Sequence, residues 1–428
     1  MRSVLRSVPI ALAAAVLVGV MGPSLAHAQL RYGLFWDPAL SSEAGAENLA
    51  TLHRGLADLK NRVLPHRWTD EETFGKKVLG IAYRAGRSAL LDGTVAYLSA
   101  LTQHEVFGHG AAARHAGIYG TRYEIRLPPP YGPGGGLADY PTGARFRLHE
   151  DLHASAGGMN GTLQLARTVR DRAVLRGRLY YDEALLSVAG HLDLPTYVWR
   201  TSQDPSVIND VASYLSSLQN SSGSFSAPTL RSLKRRALVS LIDPFSLLAL
   251  HSYLVHYLGR GKSSSPLPMI GGGAVRYLPS VHLSLSPFGS EVLLEHLVEH
   301  DGRLWRVSTR LGDGPHGRFG GAGLKVTNVV RTERLRTSLR LDLWYQPSLL
   351  LSGAFRRARP PPNRASGVDP FALGGRAEMS ASIRPTAEWP VFVAGTLGYK
   401  TDGFVLGEGL DEGLLVEIGL RLDAGLLE

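Results

Sequence analysis

From about Ala274 to the C-terminus, apolar and polar residues alternate in short runs separated by Gly, Pro and Asp-Gly turns. Leu339-Arg340-Leu341-Asp342-Leu343-Trp344-Tyr345 is the clearest run. Successive side chains of an extended chain point to opposite faces, so Leu339, Leu341, Leu343 and Tyr345 share one face and Arg340 and Asp342 the other. About eight such segments, ending with Leu414 to Leu422, predict an antiparallel barrel. Before residue 260 the period is helical, most clearly over Ser88 to His115 and Ala237 to Leu258. A Pro/Gly-rich loop from Pro128 to Gly136 and a Ser-rich loop around Asn220 to Ser226 separate these runs. Gly259 to Pro268 marks the change of period and reads as a linker. The predicted class is α+β, with a mostly helical domain over 29–260 that carries a small hairpin and a β-barrel of about eight strands over 269–428.

Composition changes this picture in three ways. The 428 residues have a mean hydropathy of -0.03 and 19% charged side chains, which excludes a disordered polymer and a polytopic helical membrane protein. There is no cysteine, so disulfides, thiol nucleophiles and thiolate-held metals are excluded, and any metal must be held by His, Asp or Glu. Residues 1–28 have the form of a secretory signal: Arg2 and Arg6, a short apolar run from Val8 to Met21, and Ala26-His27-Ala28 before Gln29. Losing Arg2 and Arg6 lowers the formal charge from +9 to +7. In an exported chain this scattered Arg-rich excess suits anionic lipid headgroups better than nucleic acid. The expected location is the outer membrane or periplasm, with membrane lipid as a partner.

The stretch richest in chemistry is Gln103-His104-Glu105-Val106-Phe107-Gly108-His109-Gly110. Zinc requires neutral imidazoles on one side of a rigid element, with a carboxylate beside them to take a proton from bound water. His104 and His109 are i and i+5, about 140° apart on a regular helix, so an unmodified helix would point them away from each other. A one-residue π-bulge restores the shared face, and Gly108 tolerates the distortion. His149-Glu150-Asp151-Leu152-His153 has the ordinary i, i+4 spacing. There Glu150 and Asp151 suffice as acidic residues at a helix start, and His153 is a candidate third ligand. His153, Gly157 and Asn160 fall on one helix face.

His104-Glu105-Val106-Phe107-Gly108-His109 resembles the His-Glu-x-x-Gly-His variant of the dipeptidyl peptidase III family. The wider layout, residues 104 to about 250, resembles the site-2 protease family of zinc metallopeptidases. The metal helix continues with small residues, Arg114 and Gly117; a hairpin region follows over Tyr119 to Leu148; and Ala156-Gly157-Gly158-Met159-Asn160 is similar to that family's Ala-Gly-Pro-x-x-Asn signature, with Gly158 in place of Pro. The resemblance implies a third zinc ligand at Asp243 in Leu241-Ile242-Asp243-Pro244. The combined expectation is an exported zinc-dependent hydrolase, most simply a metallopeptidase acting on a peptide or protein. His104 and His109 would bind Zn2+, His153 or Asp243 would complete the site, and Glu105 would be general base. The competing expectation is a non-enzymatic outer-membrane barrel with a periplasmic helical domain.

Overall fold

A computed structural model describes residues 30–64, 73–202, 209–222, 228–349, 371–386 and 389–423. The signal-like segment lies outside these residues.

The strands form one antiparallel sheet of ten: β1 (Leu30–Trp36), β6 (Ile270–Gly272), β7 (Val275–Ser286), β8 (Gly289–His300), β9 (Arg303–Gly314), β10 (Gly317–Arg331), β11 (Leu335–Pro347), β12 (Phe371–Ile383), β13 (Val391–Lys400) and β14 (Gly413–Asp423). β7 to β14 are the alternating segments of the sequence, paired in chain order as a meander. Two further strands sit at the edges: β1 pairs with β14, Leu34 opposite Leu420, and the short β6 pairs with β7. The boundary expected at 260–269 therefore does not separate helix from strand, because the first described element belongs to the sheet. Closure by strand pairing is also corrected, since among the described residues β1 and β6 do not pair with each other.

Helix side chains occupy the two edges instead. On the β1 side, the Gly33 N–H donates to Thr51 Oγ1 at 3.0 Å and the Phe35 N–H to Asn48 Oδ1 at 2.6 Å, while Asn48 Nδ2 donates to the Phe35 carbonyl at 2.7 Å. Both partners lie on α1 (Ser42–Val63). Beyond β6, the free edge of β7 donates from Val281 N to Asp243 Oδ1 at 2.9 Å, from Leu283 N to Ser240 Oγ at 3.1 Å and from Leu285 N to Asn160 Oδ1 at 3.3 Å. Backbone groups that a neighbouring strand would have paired are thereby satisfied.

The remaining helices build the body that the sheet curves against. α2 (Phe74–Arg87), a π turn (Ser88–Asp92), α3 (Gly93–His104), a second π turn (Glu105–His109) and α4 (Gly110–His115) follow one another directly. The hairpin β2 (Arg122–Ile125) and β3 (Gly136–Asp139) brackets the Pro/Gly loop. α5 (Leu148–Arg176) is the central helix, with Glu150 accepting from the Arg147 N–H at its start and Gly177, φ 63°, ending it. A short pair follows, β4 (Arg178–Tyr180) with β5 (Ser264–Pro266), and then α6 (Tyr181–Arg200), α7 (Asp210–Ser222), α8 (Leu230–Leu241), α9 (Pro244–His251) and a third π turn (Ser252–Gly259). Leu152, Met159, Val198, Tyr214 and Leu283 form one apolar core among α5, α6, α7 and β7.

Over β11 the sheet turns charged side chains toward the helices and apolar ones outward. Arg340 and Asp342 face inward and are buried, whereas Leu343 and Tyr345 are 63% and 53% exposed. Inside, Glu295 accepts from Arg167 and Arg170, each at 2.6 Å, and Glu43 at the start of α1 meets Arg340 at 2.8 Å and Lys325 at 3.3 Å. Burial opposes ionisation of Glu295, but the two guanidinium groups outweigh it and hold the carboxyl well below its usual range. Such pairs add little net stability when intact, and losing one partner strands a buried charge.

Candidate metal centre

His104 ends α3 and His109 ends the π turn that follows. The extra residue of that turn returns both imidazoles to one side, with ring centroids 4.9 Å apart. The π turn presses on α5 through glycine: a Cβ on Gly108 would come 2.6 Å from both the Gly157 carbonyl oxygen and the Gly158 Cα. A Cβ on Gly158 would come 2.3 Å from His104 Nε2 and 2.6 Å from His109 Nε2. The absence of a side chain at Gly158 thus leaves open the space at which both ring nitrogens aim.

The third group there is Asp210, in the first turn of α7. Its Oδ2 lies 3.1 Å from His104 Nε2 and 3.3 Å from His109 Nε2. These three side chains form a group able to hold a metal ion. Ligands about 2.0–2.1 Å from a tetrahedral zinc sit roughly 3.3 Å from one another, which these separations match. The far side of each ring is fixed as well. His109 Nδ1 donates to the Ala154 carbonyl at 2.7 Å, and His104 Nδ1 donates to Asp193 Oδ2 at 2.7 Å, itself bonded by Thr162 Oγ1 at 2.8 Å. Both rings consequently present Nε2 to the centre, and His104–Asp193 is the carboxylate–histidine arrangement that orients metal ligands. The ring of Tyr197 stacks on His104 at 5.2 Å.

Charge around the centre follows the same geometry. Burial disfavours imidazolium at His104 and His109, yet the neighbouring carboxylates outweigh it and raise both above their ordinary value. In Asp210 burial is likewise outweighed, here by the two histidines, and its carboxyl is held far below the usual range. Glu105, within the π turn, is 4% exposed, and burial raises its carboxyl despite both histidines. Its Oε1 would lie 2.6 Å from a Cβ on Gly136, so the start of β3 passes directly over it.

The other expected ligands lie elsewhere. His153 packs edge-on against Phe404, ring centroids 5.9 Å apart, beside a cavity of about 20 Å³; burial pushes it down to about 3, so the ring is neutral. Asp243 caps α9, its Oδ2 accepting from Ser246 N at 2.8 Å, while its Oδ1 serves the β7 edge. It does approach a second histidine pair, His191 and His282. There the two Nδ1 atoms face each other at 3.1 Å, His191 Nε2 donates to the Ser240 carbonyl at 2.7 Å, and Arg170 sits 2.8 Å from His282 Nε2, which among the described residues places a cation beside this group and none beside the first. Asp210 and Asp193 were missed because each is a single acid in an ordinary helix, and neither spacing nor motif marks it.

No family model, curated protein or solved structure matches this chain.

Proposed function

We propose that the chain is a zinc-dependent hydrolase, most simply a metallopeptidase, exported to the outer membrane or periplasm. The observation that carries this reading is the convergence of His104 Nε2, His109 Nε2 and Asp210 Oδ2 on the space left by Gly158. Three protein ligands with room for a fourth is the catalytic pattern, whereas structural zinc sites are closed by four. Zinc held there supplies a Lewis acid that acidifies a water molecule. Glu105, beside the ligands and absent from their set, takes the proton of the attacking water and returns it to the leaving group. Asp193 keeps His104 in the metal-binding tautomer. A peptide substrate is favoured by β3, which among the described residues pairs with β2 alone and has no strand on its other edge, and whose first residue lies next to Glu105.

The test is metal analysis with proteolysis on the full chain. His104→Ala, His109→Ala and Asp210→Ala should each lose the bound metal, while His153→Ala and Asp243→Asn keep it. Glu105→Gln should keep metal and fold yet cleave no casein or peptide library. Full metal content in the first three variants would remove the site, and equal cleavage by Glu105→Gln would remove the general base.

A further inference from the structure

The sheet has an unpaired edge on each side, and the helices that fill the gap carry the same inverted polarity as the strands. From β11 through β14, every outward position is apolar, small or hydroxyl-bearing; β11 turns out Leu335, Thr337, Leu339, Leu341, Leu343 and Tyr345, and β8 turns out Leu294 and Val298 together with His300 at its end and His296, whose Nδ1 meets the Tyr277 hydroxyl at 2.8 Å. Leu373 is 79% exposed and Leu414 73%. On α2 and its π turn Arg84, Arg87 and Asp92 point inward, at 1%, 7% and 1% exposure, while Lys76 and Lys77 of the first turn are exposed at the helix end. Outward on the same stretch stand Val78, Leu79, Ile81 and Leu90, between 42% and 59% exposed. A helix packed on a core with its other face in water shows the reverse arrangement. α1 repeats the pattern with Leu52, Leu56, Leu59 and Val63 exposed on one face, and α9 with the third π turn repeats it with Leu247, Leu250, Leu254 and Val255.

These helices are joined to one another and to the sheet in a ring. α1 takes the β1 edge through Asn48 and Thr51. Arg87 of α2 donates to the Leu64 carbonyl at the end of α1 at 2.5 Å, and Arg84 donates to the Leu258 carbonyl of the third π turn at 2.9 Å. Asp243, which caps α9, returns to the β7 edge.

We infer that α1, α2 and the α9–π segment complete a bilayer-embedded wall whose remaining circumference is the ten-stranded sheet, so that lipid acyl chains contact helix and strand alike. An open edge or unsatisfied backbone cannot face hydrocarbon, and the side-chain bonds along β1 and β7 remove that objection. The long strands, 10 to 15 residues, match the ~9–11 a tilted transmembrane strand needs. Trp389 beyond one end of the strands and Tyr345, Phe371 and Tyr399 at the other lie where interfacial aromatic residues sit. No single described helix is long and apolar enough to cross a membrane. The wall needs none, because α8 and the α9–π segment, bent by 58°, pass that test as a pair, α1 lies along β1, and α2 packs between its own π turn and the third one. A soluble partner would have to encircle the molecule to cover the same surface. This inference stands apart from the metal chemistry.

The chain has no cysteine, so single cysteines report position directly. Leu56→Cys, Ile81→Cys and Leu250→Cys on the helices, Leu343→Cys and Leu397→Cys on the strands, and Glu333→Cys in the β10–β11 turn are labelled with an environment-sensitive fluorophore. The full chain is then reconstituted into phosphatidylethanolamine–phosphatidylglycerol vesicles containing acyl-brominated lipid, with the circular dichroism spectrum of the cysteine-free chain as the check on folding. The wall predicts quenching at the helix sites equal to that at the strand sites, and none at Glu333. Quenching at strands alone would put the helices in water or against protein. Quenching at neither would assign the whole face to a protein partner or a second copy. Either result overturns the inference.

Discussion

Gly158 shows how little material separates a metal centre from a packed core. A methyl group there would stand where both Nε2 atoms point, so Gly158→Ala should abolish metal binding while circular dichroism stays that of wild type. Asp193→Asn keeps the shape but loses the charge behind His104, and metal affinity should fall about 10–100-fold in a chelator competition. A different histidine sets a pH response. Burial lowers His153 from 6.5 to about 3, so between those values the unfolded chain binds a proton the folded chain refuses. The stabilising contribution of the neutral ring is complete above about pH 6.5 and is lost as pH falls. Relative to wild type, His153→Asn should therefore gain unfolding free energy on going from pH 8 to pH 5, by at most roughly 1.4 kcal/mol per pH unit below 6.5, read by denaturant melts. A difference that does not change with pH would mean that the ring takes up a proton in the fold as readily as in the unfolded chain. At this scale the sequence was partly legible. His104, Glu105 and His109 announce themselves by type and spacing, whereas Asp210 acquires its role only through the packing that carries α7 to the π turn.

At the scale of elements, periodicity was a reliable guide where one physical pattern dominated. The i, i+5 histidines require a π turn and one is present over Glu105–His109. The alternation in Leu339 to Tyr345 is realised residue for residue in β11. Glu295-His296 and Glu299-His300, which would share a helix face, are split by strand alternation into buried glutamates and exposed histidines. Asp243 was read, by resemblance, as a ligand; in the structure it caps α9, with Pro244 at the first helical position, and the same carboxylate finishes a sheet edge. β1 was hidden because Leu30–Trp36 is short and its partner lies at the far end of the chain. Edge capping by side chains makes its own prediction. Asn48→Ala leaves the Phe35 N–H and carbonyl without their partner and should cost about 1–3 kcal/mol in unfolding free energy, read by thermal or denaturant melts. An unchanged melt would mean that solvent replaces the amide.

For the molecule as a whole, the interior ion pairs and the two capped edges tie helices and strands into one unit. Residues 269–428 expressed alone should lack a protected core in limited proteolysis, because Glu43 and α5 are missing from among the inward arginines. Recovery of a protease-resistant fragment would restore two independent domains. The pairing of β1 with β14 has a further consequence, in time rather than space. β1 is synthesised first among the strands and its partner last, so Leu34 cannot meet Leu420 until the entire chain has emerged. Contacts this distant in sequence form slowly, and through that interval the inner edge of the first strand and the apolar faces wait exposed. A stop a few residues before β14 would leave every earlier element made and the sheet still missing the strand that joins its first to the rest.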